Sequence, residues 1–337
     1  MALIRALMLL SHEGPISQIK YNRDGDLLFS VSKTPPAMVW RTDTGMRLGT
    51  YEFGEKSAIS CLDINKDTTR LVTGSAGNMI RLWDCETGAC LQTVTTQTSV
   101  RTCEFSSDGQ IIFYTTDAQR KISPELAILT LKQFEGGAFD YIAQTHITDS
   151  KVTAATWGPF DQHIITGHEN GSLRFYQADN SAKRVQVLRN EQIHKDTVTD
   201  LKMTSDKLFC LSASKDFTAK LSTSDRLENI KTFNTDRPVN AAAISSLRNH
   251  VIIGGGQEAM WVTQTHSHTG KFEAKIFHVI YEQEIGRVKG HFGPINSLAF
   301  QPDGRGFSSG GEDGVIRMHQ FPEIYYDFEF DRFKFDR

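Results

Sequence analysis

Three groups of residues in this sequence have types and spacings that suggest chemistry. The stretch VIIGGGQEAM (251–260) sets Gly254, Gly256 and Ala259 in the G-x-G-x-x-G/A pattern of a dinucleotide-binding turn, with Glu273 where a ribose-binding carboxylate would stand. His194 with Asp216, and His291 with Asp313, are imidazole–carboxylate pairs of the kind that relay protons in general acid–base catalysis. His266 and His268, in HSH, offer two imidazoles to a metal ion. Each group lacks its companions. A cofactor turn opens a helix whose N–H groups face the pyrophosphate, whereas the residues after Gly256 are rich in Thr, Trp and other strand formers. No G-x-S-x-G nucleophile motif accompanies the His/Asp pairs, and no Cys, Asp or Glu stands close enough to the two histidines to complete a metal shell. Neither catalytic, cofactor-binding nor metal-binding residues are expected.

Composition narrows the function classes further. The chain has 337 residues, 39% hydrophobic and 23% charged, which is ordinary for a globular protein with a sizeable core. Its 37 Lys and Arg against 40 Asp and Glu leave a net charge of -3, no positive field to hold a phosphate backbone, so direct nucleic-acid binding is not expected. The five cysteines are odd in number and form no C-x-x-C pair, which fits small buried residues in a reducing, cytoplasmic compartment. The apolar stretch LIRALMLL (3–10) is interrupted by Arg5 and is too short for a membrane span; it reads as a terminal β-strand.

The elements that must position these residues come from a repeat. A six-residue pattern, apolar at its first, fourth and sixth positions, recurs seven times: Ile16/Ile19/Tyr21, Ile59/Leu62/Ile64, Val100/Cys103/Phe105, Val152/Ala155/Trp157, Val198/Leu201/Met203, Val239/Ala242/Ile244 and Ile295/Leu298/Phe300. Fifteen residues after each first member the residue is usually small: Val31, Gly74, Thr115, Gly167, Ala213, Gly254 and Gly310. The mean spacing of about 46 residues matches a four-stranded propeller blade. Turn sequences such as NRDGD, SSDGQ and QPDGR separate the first two strands, with Gly supplying positive φ. A third strand shows in MIRLWD (79–84), SLRFY (172–176), TAKLS (218–222) and VIRMHQF (315–321). The expected fold is all-β, a seven-bladed β-propeller of four antiparallel strands per blade, a single domain over 1–324 whose N-terminal strand around Ile4 to Leu9 closes the last blade. Long spacings place insertions near DAQRKISPE (117–125) and WVTQTHSHTG (261–270), and an aromatic and charged tail, YYDFEFDRFKFDR, occupies 325–337. That tail reads equally as a strand along a blade edge or as a segment a partner grips.

Within this repeat Gly254 becomes the counterpart of Gly74, Gly167 and Gly310, the end of a second strand. His12, His194 and His291 all stand four residues before a first apolar position, and Asp216 and Asp313 eighteen after it. That placement suits a hydrogen bond inside a blade, tying the incoming loop to the second turn, so His194–Asp216 and His291–Asp313 are expected to be structural.

The string RLWDCETG (81–88) is a WD-repeat signature, and TDRPVNAAAIS, GGGQEAM, GKFEAKIFH and EIGRVKGHFGPIN, in that order, resemble the family of subunit i of eukaryotic translation initiation factor three over the full length. Two departures stand out: Gly77 where the repeat favours Asp, and AKLSTSD in blade five, whose acid falls at Asp225. The resemblance implies a non-catalytic scaffold subunit, binding subunits b and g and, through the complex, the small ribosomal subunit, in support of mRNA and initiator-tRNA recruitment, with no membrane contact. A WD-repeat adaptor of another cytoplasmic signalling or RNA-processing complex is the alternative, and physics alone does not separate the two. The family's contact between a helix of subunit b and blades five and six directs attention to Asp206, Asp225, Glu282 and Glu284, expected to form an acidic strip on one rim that registers a basic helix.

Overall fold

Each apolar hexad is the innermost strand of a blade. The computed structural model describes residues 6–52, 54, 56–133, 139–179, 184–256, 272–322 and 325. A short strand, β1 (Ala6–Leu9), precedes blade one, which comprises β2 (Ile16–Tyr21), β3 (Leu27–Ser32), β4 (Ala37–Arg41) and β5 (Arg47–Tyr51). Blade two is β6 (Ile59–Ile64), β7 (Arg70–Ser75), β8 (Met79–Asp84) and β9 (Cys90–Thr95); blade three is β10 (Val100–Phe105), β11 (Ile111–Thr116), β12 (Glu125–Gln133) and β13 (Phe139–Ile147). Blade four follows as β14 (Val152–Trp157), β15 (His163–His168), β16 (Ser172–Asp179) and β17 (Arg184–Gln192), and blade five as β18 (Val198–Met203), β19 (Phe209–Ser214), β20 (Thr218–Thr223) and β21 (Asn229–Asn234). Blade six is β22 (Val239–Ile244), β23 (His250–Gly255), β24 (Glu273–His278) and β25 (Glu284–Lys289). Blade seven is β26 (Ile295–Phe300), β27 (Gly306–Gly311) and β28 (Ile316–Gln320), completed on its outer edge by β1, with Leu9 opposite Ile316. The first strand thereby closes the ring and covers a sheet edge. Ile4 lies outside the described residues.

The apolar hexad is not a period-two pattern, and a β-bulge explains why. In all seven inner strands the pairing shifts between the first and third residues, as at Ile16/Gln18, Val100/Thr102 and Ile295/Ser297. The extra residue turns the following side chains over, so positions one, four and six share a face. The second position, free of the ladder, projects toward the axis, where Ser17, Ser60, Arg101, Thr153, Thr199, Asn240 and Asn296 line the central channel of about 1300 Å³.

Neighbouring blades are joined through this inner ring. Thr153 donates to the carbonyl of Val198, Thr199 donates to that of Val239 at 2.7 Å, and Asn296 donates to that of Ile16 at 3.1 Å. The third position reaches the next blade's fourth: Leu62 N donates to Gln18 Oε1 at 2.9 Å, Ile19 N to Ser297 Oγ at 3.0 Å, and Ala242 N to Asp200 Oδ2 at 3.2 Å. The small residue at position sixteen makes this approach possible. A Cβ on Gly74, Gly167, Gly254 or Gly310 would fall 2.4–3.0 Å from Val100, Val198, Ile295 or Ile16 respectively, the first apolar residue of the adjacent blade.

Two expectations are refined. The extra length of blade three is divided between the 117–124 connection and the nine-residue strands β12 and β13; residues 261–270 are not among those described. The tight turn with positive φ does not require glycine everywhere, because Thr68 (57°) and Lys207 (59°) occupy the place that Gly25 (77°), Gly109 (69°) and Gly304 (68°) hold elsewhere. Asn65 Oδ1 accepts from the N–H groups of Thr69 and Arg70 in the first case, which offsets the strain.

Candidate partner-binding surface

A buried polar network ties the incoming loop of blade five to its second-to-third turn, at the end of the blade opposite the first-to-second and third-to-fourth connections. His194, at the entrance to β18, places Nδ1 3.0 Å from Asp216 Oδ2 and Nε2 2.7 Å from Ser212 Oγ. Asp216 also accepts from Lys195 N at 3.0 Å, Thr218 N at 3.1 Å and Thr218 Oγ1 at 2.6 Å. Burial lowers the His194 pKa, so the imidazole is neutral, its Nδ1–H donating to the carboxylate while Nε2 accepts from Ser212. Burial opposes the charge of Asp216, but its donors outweigh this and hold its pKa below the usual carboxylate range. Blade seven repeats the arrangement, with His291 Nδ1 3.1 Å from Asp313 and Nε2 2.8 Å from Ser309 Oγ.

The third member, a serine one residue before the small position, was missed by sequence reasoning, although Ser30, Ser212 and Ser309 share that repeat position. In blade one Trp40 Nε1 donates to Ser30 Oγ at 2.8 Å, leaving the Ser30 hydroxyl to donate to His12 Nε2 at 2.7 Å. Blade four uses His168 instead, held between Ser150 Oγ at 2.6 Å and Thr166 Oγ1 at 2.8 Å. No repeat rule announced this substitution, since the histidine comes from the end of a second strand.

Asp206 and Asp225 occupy the first-to-second and third-to-fourth connections of blade five. Ser224 N donates to Leu208 O at 2.9 Å, so the two turns are joined directly. Asp225 is exposed, with Arg226 Nε 3.7 Å from its carboxylate. Asp206 has a structural task as well: Oδ1 accepts from Thr204 Oγ1 at 2.5 Å and Leu208 N at 3.0 Å, which lowers its pKa. Asp206 thus holds its own turn as well as facing solvent. Glu282 sits in the third-to-fourth connection of blade six, where Lys231 of β21 bridges to it at 2.9 Å and donates to Ile280 O at 3.0 Å. Glu284 is not in that connection but begins β25, and it chelates Arg287, which also approaches Glu273 at 3.5 Å. Of the four acids, Asp225, Glu282 and Glu284 each have an ion-pair partner, and Asp206 is held by its own turn. Exposed Leu208, Ile230, Ile280 and Tyr281 lie on the same rim.

Among the other candidates, the described glycines and Glu273 have structural roles. Gly254 ends β23 against Ile295, and Gly256 has φ 146° with its would-be Cβ 2.8 Å from Phe272. Glu273 is buried and paired with Arg287 and with Lys289 at 3.4 Å, so it is not a free ribose acceptor. Ala259, His266 and His268 lie outside the described residues, as does the tail apart from Tyr325, which stacks on Phe321 at 3.9 Å and approaches His250 Nδ1 at 2.5 Å. Among the described residues no group of three His, Cys, Asp or Glu could hold a metal ion, and no helix is long and apolar enough to cross a membrane. Of the residues lining the channel, Lys20 pairs with the buried Asp63 at 2.5 Å, Lys202 with Asp200 at 3.3 Å, and Glu104 accepts from Trp157 N at 3.2 Å.

The family model described as EIF3I matches residues 4–331. The chain belongs to that family. Subunit I of eukaryotic translation initiation factor 3 from Nematostella vectensis is 49% identical over 328 residues, covering 97% of this chain and 100% of the relative. The Homo sapiens protein of the same description is 48% identical over 331 residues, with the same coverage. As a member of this family the chain has the role of a translation initiation factor. The solved β-propeller domain of Cps50 (Swd1) from Myceliophteria thermophila superimposes with a TM-score of 0.76 over 95% of this chain and 100% of that one; at 16% identity, the likeness is one of fold.

Proposed function

We propose that this protein is a non-catalytic scaffold of the cytoplasmic initiation factor 3 complex, holding subunits b and g and through them supporting recruitment of mRNA and initiator tRNA to the small ribosomal subunit. Family membership supports the complex. The blade-five rim supports a helical partner, and the observation that carries this reading is that the turns carrying Asp206 and Asp225 are hydrogen-bonded to each other through Ser224 and Leu208, with Leu208, Ile230, Ile280 and Tyr281 exposed. An amphipathic helix with a basic edge would satisfy both halves of such a surface, with apolar groups supplying affinity and carboxylates supplying register. The non-catalytic reading is supported by the inner strands, where the channel-lining Glu104 and Asp200 and the buried Asp63 accept hydrogen bonds from the next blade's backbone.

The test combines Asp225→Lys with Asp206→Asn, since the amide retains the Oδ1 acceptor that the turn requires. Exposed charge pairs contribute about 0.2–1 kcal/mol each, and reversal adds repulsion, so binding of the C-terminal region of subunit b should weaken roughly tenfold in calorimetric titration. The melting temperature should stay within about 2 °C of the parent. Unchanged affinity would place the b contact elsewhere, and co-purification from cytosol with a different complex would favour the adaptor alternative.

A further inference from the structure

Cys61 and Cys103 stand on the facing inner strands of blades two and three, with the Cys61 thiol donating to Cys103 Sγ across 3.2 Å. Both are free thiols, buried at 3% and 4% exposure, yet both contribute to the channel wall. Their juxtaposition follows from the ring's register. Cys61 holds the third position of its hexad and Cys103 the fourth of the next, the same pair of positions linked by Gln18 to Leu62, Asp200 to Ala242 and Ser297 to Ile19. Ser297, whose Oγ is the counterpart of a cysteine Sγ, reaches the Ile19 backbone at 3.0 Å, so the strands are close enough here for a one-atom side chain to bridge them. Gly74 leaves the space that the Cys61 sulfur fills, because a Cβ there would lie 2.6 Å from it, and Val100 closes the same wall.

We propose that Cys61 and Cys103 form an oxidisable dithiol, converted slowly by peroxide entering through the channel to a disulfide that staples blade two to blade three. The oxidant class is a small hydroperoxide. One thiol, as thiolate, attacks a peroxide oxygen, giving a sulfenic acid and releasing hydroxide; the second sulfur attacks the sulfenic sulfur, and water leaves, so that two thiols and one hydrogen peroxide become one disulfide and two waters. Hydrogen peroxide is close to water in size and fits the channel, whereas burial of both sulfurs disfavours attack by bulky disulfides such as oxidised glutathione. Burial, together with the Cys61 hydrogen bond, pushes the Cys103 thiol well up, which keeps it protonated and slows its reaction. The bond would close the chain between the two blades and restrict the unfolded ensemble.

Treatment of the native full-length protein with hydrogen peroxide, followed by alkylation under denaturing conditions and peptide mapping, tests this. The expected product is an intramolecular cross-link between the peptides carrying Cys61 and Cys103, about 2 Da lighter than the dithiol, reversed by dithiothreitol and absent with oxidised glutathione. The oxidised protein should melt at a higher temperature than the reduced one. Cys61→Ser should lose the cross-link and carry Cys103 on to sulfinic acid or into intermolecular dimers; the wild-type map needs no substitution and stands even where that variant folds poorly. Thiols that remain fully alkylatable, proceed to sulfinic acid without pairing, or pair only as Cys85 with Cys90 would overturn the proposal.

Discussion

Replacing His319 with phenylalanine should remove one increment of acid sensitivity while leaving the fold at neutral pH almost unchanged. His319 lies in β28 at 4% exposure, its ring stacked on Phe307 with centroids 4.7 Å apart, and among the described residues its Nδ1 has no hydrogen-bond partner. Burial, with His291 and Arg317 nearby, lowers its pKa from 6.5 to about 4. An unfolded chain takes up this proton near pH 6.5 and the fold only near pH 4, so the unfolded state binds more protons in that window. Stability is therefore fully present above pH 6.5 and falls as pH falls toward 4. Linkage sets the loss from this single group at about 1.4 kcal/mol at pH 5.5 and about 2 kcal/mol at pH 5. His12, His168 and His250 are also lowered to about 4, chiefly by burial. The four together remove roughly 5–6 kcal/mol by pH 5.5, comparable with the whole stability of many domains. Asp63 and Asp200, raised by burial, act in the opposite sense, but they are common to both chains and cancel in the comparison. Urea unfolding followed by circular dichroism would give both stability curves. They should agree within about 1 kcal/mol near pH 7.5, and their difference should move by about 1.4 kcal/mol in favour of the variant on going to pH 5.5. Parallel curves would refute the assignment of a buried, neutral His319.

Asp216→Ala should cost about 2–4 kcal/mol of unfolding free energy, because it strips the acceptor from His194, Lys195 and Thr218 at once, whereas Asp216→Asn, which keeps an oxygen, should cost less; equal losses would show that the network's charge and bonds are incidental. Deleting residues 1–10 removes β1, uncovers the β28 edge and loses the buried Leu9, so the whole ring should melt at lower temperature by differential scanning calorimetry, and an unchanged melting curve would show that closure does not depend on this strand.

The number of blades, the position of every inner strand and the class of the fold were legible in the chain, because apolar residues must leave water wherever the sequence places them and the seven hexads carry that requirement at blade-length spacing. The glycine fingerprint could also be set aside from its strand context. What the hexad did not disclose was the bulge that gives it an odd spacing, nor that Gly254 is small because Ile295 of the next blade lies against it. The same limit applies to the candidate site. Asp206 and Asp225 could be assigned to neighbouring connections from the repeat alone, yet the turn bonds of Asp206, the Arg287 clasp on Glu284 and the Lys231 bridge to Glu282 depend on side chains that meet only after blades have packed. Ser212 and Ser309, which complete the two histidine networks, and Cys61 and Cys103, which share no local motif, belong to the same class. Local sequence determines which face of a strand is buried; which atoms then touch is decided by the register between blades, and that register exists only once the ring is closed.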